Sequence, residues 1–250
     1  MRLATFDSIG STNAEALTRA RHGDRGPLWI AAREQTAGRG RHGRNWVSEL
    51  GNLFATLLLS DPAPVHRAPE LAFVAGLAVH DAVAELVPDL RARLTLKWPN
   101  DLLCDGAKLA GILIEGEGTQ PFGAVVGIGI NCRHHPRATA YPATDLAALG
   151  KSVTADDVFP VLTKTMLERL AQWDRGAGFA AIRADWLERT NERGTPVRVR
   201  IGTREVEGTF DGLDASGRLL LRRRDGAPET ISAGDVFPMP RASAAVEAAG

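Results

Sequence analysis

The segment Gln35-Thr36-Ala37-Gly38-Arg39-Gly40-Arg41-His42-Gly43-Arg44 carries the clearest chemical signal in the chain. Glycine lets the backbone turn sharply and brings its N–H groups close to an anion. The interleaved arginines add planar, forked donors matched to phosphate and carboxylate oxygens. With Arg33 upstream, this cluster of cations is opposed locally only by Glu34, while over the whole chain 30 Lys and Arg balance 30 Asp and Glu. A neutral chain has no global field to draw it onto DNA or an acidic membrane, so any anion site must come from local clustering. The segment reads either as an anion-binding loop, mobile when empty and ordered by its ligand, or as a solvated basic surface loop.

Gly38, Gly40 and Gly43 also satisfy G-x-G-x-x-G, with Asp61 downstream. A dinucleotide fold needs a helix beginning inside that motif. Residues 45–52 are broken by Gly51 and Asn52, and the apolar run that follows reads as a strand, so this reading fails. No Gly-Lys-Ser or Gly-Lys-Thr exists to form a phosphate-binding P-loop. No His, Cys and carboxylate cluster has the spacing of a dedicated metal site.

Three further segments have chemical potential. Lys97-Trp98-Pro99-Asn100-Asp101 ends a strand, and Pro99 is expected to throw Asn100 and Asp101 into a loop. Lys108 then opens an apolar run that meets no other charge until Glu115. The two pieces read as a hairpin that presents Lys97 and Lys108 near one another, with Lys108 either a pocket residue or a strand-edge gatekeeper. In Gly127-Ile128-Gly129-Ile130-Asn131 both glycines fall on one face, which points to a ligand or backbone passing close, or to packing against a helix. Ser11, Thr12 and Asn13 are ordinary residues for the start of a helix.

These segments need a scaffold. Short apolar runs at 3–6, 28–32, 53–59, 94–98, 112–115 and 123–130 read as strands. Helices are expected after residues 11–13, over 70–86, from a Thr154/Asp157 capping box to about Trp173, and over 179–189. Beyond Arg193-Gly194-Thr195-Pro196, short alternating runs at 197–201, 205–210, 218–221 and 229–231 are separated by tight turns, which predicts a small barrel. The expected division is a catalytic domain over 1–192, a barrel over 193–240, and a frayed Ala-rich tail over 241–250. Cys104 and Cys132 are too few for a disulfide framework, and the N-terminus has no apolar signal core, so a cytoplasmic location is expected. No apolar run approaches the roughly 18 residues of a membrane helix.

The four chemical segments, in this order and with Trp46 after the arginine loop, closely resemble the biotin–protein ligases over nearly the whole chain. The resemblance implies an α+β fold: a mixed sheet with helices, akin to the class II aminoacyl-tRNA synthetase core, followed by an SH3-like barrel. It implies ATP and biotin as substrates, Mg2+ on the phosphates, and a biotin carboxyl carrier protein as partner. Ser11, Thr12, Asn13, Gln35, Gly111 and Gly127 would line the biotin pocket. Gly38, Arg39, Gly40 and Arg41 would form the loop that closes over biotin and its adenylate, and Lys108 would meet the biotin carboxylate. Arg41, Arg44, Trp46, Asn100, Asp101 and Asn131 would contact the nucleotide, with Lys108 and Arg39 as the catalytic cations. Ser11 falls almost at the start, which implies the short monofunctional type without a DNA-binding domain. The choice between monomer and homodimer stays open. The alternatives are a lipoate– or octanoate–protein ligase on the related fold and a non-catalytic adenylate-binding regulator.

Overall fold

The computed structural model describes residues 1–118, 121–137, 139 and 141–239. Its framework is a seven-stranded sheet of β1 (Arg2–Ile9), β2 (Leu28–Gln35), β3 (Leu53–Ser60), β4 (Leu94–Lys97), β5 (Asp101–Cys104), β6 (Ala107–Glu117) and β7 (Gly123–Ile130). The order is β1-β2-β3-β7-β6-β5-β4. The first pair is parallel and every other pair antiparallel, so the sheet is mixed. The central strands β3 and β7 are almost wholly buried, as strands covered on both faces must be.

Alternate residues feed two cores. Leu28, Ile30, Leu58 and Val125 pack beneath α1 (Thr12–Arg21), while their neighbours Trp29, Leu57 and Val126 join the larger core on the opposite face. That larger core is roofed by α2 (Glu70–Leu86), α3 (Ala155–Trp173) and α4 (Phe179–Glu188). Helix α2 is apolar nearly all round because it lies between the sheet and the other two helices. Its buried Glu70 is satisfied by Arg67 and by Trp173 Nε1, which donates at 2.6 Å. The Thr154/Asp157 capping box is formed and starts α3, as the sequence predicts.

The C-terminal strands β8 (Pro196–Ile201), β9 (Arg204–Leu213), β10 (Leu219–Arg223), β11 (Pro228–Ile231) and β12 (Asp235–Pro238) form an antiparallel sheet in the order β11-β10-β9-β8-β12. Val197, Val199, Phe210, Leu219, Leu221 and Val236 point inward and merge with the helical core. Trp98 Nε1 donates to Gly217 O at 3.0 Å and ties this sheet to the turn after β4. The expected tail lies outside the described residues. Among the described residues no helix is long and apolar enough to cross a membrane.

Two expectations are corrected. Asp101 is not in a loop: residues 98–100 make a tight turn, Lys97 pairs with Asp101, and β5 runs between β4 and β6. The Leu-Leu-Cys run that marks β5 is too short to announce a strand by pattern, and Pro99 falls in the turn, where its missing N–H costs no ladder bond. Lys97 and Lys108 therefore flank a third strand instead of belonging to one hairpin, yet they do lie near one another, both beside Asp101.

Candidate active site

One cavity of about 380 Å3 opens where α1, the arginine loop, β6, β7, the 98–100 turn and β12 converge. Every residue assigned a site role from the sequence lines it except Gly38, which lies just behind. A Cβ at Gly38 would collide with Ser48 Oγ and the Trp46 carbonyl, so only glycine lets the loop lie flat there.

The first wall is polar and buried. Ser11 caps α1, accepting from Ala14 N, and so turns Thr12 and Asn13 toward the sheet. Gln35 Oε1 accepts from Thr12 N at 2.9 Å and from Thr12 Oγ1 at 3.0 Å, while Gln35 Nε2 donates to Ser48 Oγ at 3.0 Å. Thr56 Oγ1 lies 2.8 Å from Thr12 Oγ1 and donates to Asn13 Oδ1 at 2.7 Å. Asn13 Nδ2 donates to Glu115 Oε2 at 2.8 Å. Each group holds the next, which fixes a rigid end of alternating donors and acceptors.

The second wall is the glycine face of β6 and β7. Gly111 and Gly129 are ladder partners, and a Cβ at Gly129 would fall 2.6 Å from the Trp46 indole. At Gly111 it would fall 2.9 Å from the same ring and 3.1 Å from Lys108 Cε, and at Gly127 it would overlap the Asn13 amide. The helix-packing reading of the glycine pair holds at Gly127, where Asn13 packs from α1, and at Gly129 the close neighbour is the Trp46 ring.

The third wall is the arginine loop, folded as a small hairpin. Arg39 bridges Asn45, and Gly40 N donates to Arg44 O at 2.7 Å around a turn in which His42 has φ 57°. Its arginines all have partners within the protein. Arg39 Nη2 lies 3.1 Å from Glu115 Oε2, and Arg44 Nη2 lies 3.0 Å from Asp235 Oδ1. Arg41 donates to Asn100 Oδ1 and to Gly234 O, each at 3.2 Å. Burial pulls the Arg41 guanidinium below its ordinary value, against the opposing pull of Asp235 and Asp101. These partners lie far away in sequence, so nothing local announces them.

The fourth wall is a buried charge cluster. Lys108 Nζ lies 2.6 Å from Asp101 Oδ1, an ion pair outside hydrogen-bond alignment, and Lys97 Nζ lies 3.9 Å from Asp101 Oδ2. The Tyr141 hydroxyl donates to Asp101 Oδ2, and Lys97 Nζ sits 3.9 Å from the centre of the Tyr141 ring. Burial pushes the Asp101 carboxyl up, but the two lysines outweigh it and hold it below the usual carboxylate range. Burial lowers Lys97 and, together with Asp101, raises Tyr141. Asn131 donates to Thr144 O at 3.0 Å, and Asn100 Nδ2 donates to Ile112 O at 2.5 Å.

Residues 6–131 match the biotin/lipoate A/B protein ligase family. The chain belongs to the biotin/lipoate A/B protein ligase family. Residues 194–238 of this ligase-family chain match the biotin protein ligase C terminal domain. It is 43% identical over 235 residues to the biotin–[acetyl-CoA-carboxylase] ligase of Paracoccus denitrificans, covering 91% of this chain and 96% of the relative. It is 40% identical over 245 residues to the enzyme of that name from Mycobacterium tuberculosis, covering 94% and 88%. Its fold superposes on a biotin protein ligase from Aquifex aeolicus in complex with biotin and ATP, with a TM-score of 0.78, 27% identity, and coverage of 94% and 97%.

Several side chains at the ligase-family pocket had no role assigned from sequence: Lys97, Glu115, Tyr141, Asp235 and Phe237. Asp235 and Phe237 reach it from the C-terminal sheet. Only Lys97 had a sequence signal, its place beside Trp98-Pro99. The others are brought there by the packing of separate elements: Glu115 on β6, Tyr141 in the segment after β7, and Asp235 and Phe237 on β12. Among the described residues no group of three or more His, Cys, Asp or Glu side chains is placed to hold a metal ion.

Proposed function

We propose that this protein activates biotin with ATP, forming biotinyl-AMP and pyrophosphate, and then transfers the biotinyl group to a lysine of a carboxylase carrier protein. One observation carries the reading: a single cavity joins a rigid polar end built on Thr12, Asn13 and Gln35 to a cationic end built on Arg39, Arg41, Lys97 and Lys108. The polar end suits the ureido ring of biotin, and the cations suit a carboxylate meeting a triphosphate.

In the first step a biotin carboxylate oxygen bonds to the α-phosphorus, and the bond to pyrophosphate breaks. Two anions are pressed together, so fixed cations lower the barrier. A charge about 4 Å away at an effective dielectric of about 20 is worth roughly 4 kcal/mol, or about a thousandfold in rate. Lys108 and Arg39 take this role, and for each the approach means leaving Asp101 or Glu115 for the ligand. Arg41, Arg44 and Trp46 hold the nucleotide with Asn100, Asp101 and Asn131. In the second step the carrier lysine attacks the acyl carbon and AMP leaves. The enzyme's own part is to position, stabilise charge and keep water from the anhydride.

Mg2+ belongs to this reading as a counter-charge on the phosphates. It binds with few protein oxygens and keeps much of its water, so the sparse donor set of Asn100, Asp101 and Asp235 fits a nucleotide-carried ion better than a dedicated cage. Both cysteines are free and buried, which suits a reducing compartment, and the cytoplasm is the proposed location.

The test is incubation with radiolabelled ATP, biotin and a carrier domain, with lipoate as the competing acid. Biotin-dependent pyrophosphate release and a biotinylated carrier are expected. Transfer of lipoate in preference to biotin, or adenylate binding without transfer, overturns the proposal.

A further inference from the structure

Asn52 stands at the head of β3, where the pairing of β3 with β7 ends at Leu53 opposite Ile130. One step further along the same register brings Asn52 level with Asn131. The Asn52 side chain takes over where the ladder stops. Its Oδ1 accepts from Cys132 N and Arg133 N, each at 2.9 Å, and from His134 N at 3.1 Å. Its Nδ2 donates to His134 O at 2.8 Å. One buried amide, 4% exposed, thus holds three consecutive N–H groups that leave the sheet together and would otherwise lack a partner. The preceding residue is fitted to the same turn. Gly51 has φ 101°, and a Cβ there would fall 3.0 Å from Arg133 Cδ.

The clamped turn begins beside a cavity residue. Asn131 lines the cavity and is 3% exposed. Its backbone is held on both sides, N donating to Leu109 O at 2.9 Å and O accepting from Leu146 N at 3.1 Å. Its Nδ2 is turned to Thr144 O at 3.0 Å and Lys108 O at 3.5 Å. Its Oδ1 accepts from no group among the described residues, so it is the atom left for a ligand donor. Asn52 does not line the cavity, and it reaches the site only through the backbone of residues 132–134.

We infer that Asn52 is a positioning residue for the nucleotide: by clamping residues 132–134 it aims the Asn131 amide, whose Oδ1 accepts from the exocyclic amine of adenine and disfavours guanine, which presents a carbonyl oxygen there. The inference rests on the adenylating function proposed above. Because Asn52 touches no ligand, its loss is felt only as far as Asn131 is misaimed.

The experiment measures biotin-dependent pyrophosphate release by the full chain against ATP and against GTP, with biotin affinity taken separately by calorimetry without nucleotide. Wild type should prefer ATP. Asn52→Ala should raise the KM for ATP by roughly 2- to 12-fold, the worth of one neutral hydrogen bond, and shrink the preference for ATP over GTP by about the same factor. Its kcat should change less than its KM, and its biotin affinity should stay that of wild type. In an Asn131→Ala background Asn52→Ala should cost nothing further in KM for ATP, since two residues acting through one contact are not additive. Asn52→Asp keeps an oxygen that accepts from the three N–H groups, so its KM for ATP should lie closer to wild type than that of Asn52→Ala. If thermal melting shows Asn52→Ala unfolded, Asn52→Asp takes its place in the cycle with Asn131→Ala. An unchanged KM for ATP, losses that add across the cycle, no recovery in Asn52→Asp, or biotin affinity falling in step with ATP overturns the inference and leaves the ligase proposal standing. No biotin-dependent pyrophosphate release by wild type overturns both.

Discussion

Lys108→Ala tests whether this lysine does chemistry or only neutralises Asp101. Its Nζ is 2.6 Å from Asp101 Oδ1, and its side chain is 24% exposed. Removing it strips Asp101 of the nearer of two ammonium partners and leaves Lys97 at 3.9 Å. Breaking a fully buried pair costs about 3–5 kcal/mol, and the remaining lysine and partial exposure reduce this to about 1–3 kcal/mol. For a chain of this length that lowers the melting temperature by roughly 2–12 °C. The chemical loss is separate: one charge at about 4 Å, or roughly a thousandfold in adenylation. A double-mutant cycle divides the two effects. Asp101→Asn removes the stranded charge, so the double variant should melt well above Lys108→Ala. Its biotin-dependent pyrophosphate release should still lie about a thousandfold below that of Asp101→Asn alone. If release recovers together with the melting temperature, Lys108 is a counter-ion and the assignment to chemistry is wrong.

The Glu192 carboxyl gives a ligand-free prediction. Its folded value of about 7, raised by burial, exceeds the ordinary 4.5, so between those pH values the folded state holds a proton the unfolded chain has released. Stability from this group is complete below about pH 4.5, declines as pH rises to about 7, and is then lost, a change of about 3 kcal/mol. Glu192→Gln should flatten this part of the curve and exceed wild type at pH 8; parallel urea-unfolding curves across that range would refute it. Arg41→Gly should loosen the loop, because the 17% exposed guanidinium is what joins it to Gly234 O and Asn100. Loss of such a charge-assisted bond, about 1.5–3 kcal/mol, predicts roughly 10- to 150-fold faster escape of biotinyl-AMP and labelling of bystander proteins. Unchanged retention with much slower adenylate formation would instead place Arg41 in the chemical step.

The sequence alone determined what depends on local backbone and periodicity. The bounds of α2 and α3 follow from the apolar pattern and the Thr154 capping box. Gly127 and Gly129 announce a close approach because glycine in a strand needs a reason, and the arginine loop could not continue as a helix past Gly51. The motif residues also signal chemistry by type, and all of those given a site role except Gly38 line one cavity. Tertiary structure alone decided which charges meet. Arg39 finds Glu115 76 residues away, and Arg44 finds Asp235 191 residues away. Asp101 became the buried centre of the lysine pair only because a three-residue turn returned the chain as β5. Glu192 is buried only because Leu96 N hydrogen-bonds Arg189 O and draws the turn after α4 against β4. Side-chain periodicity reports which face of an element is buried, whereas an ion pair depends on how separate elements are placed, and no spacing along the chain encodes that placement.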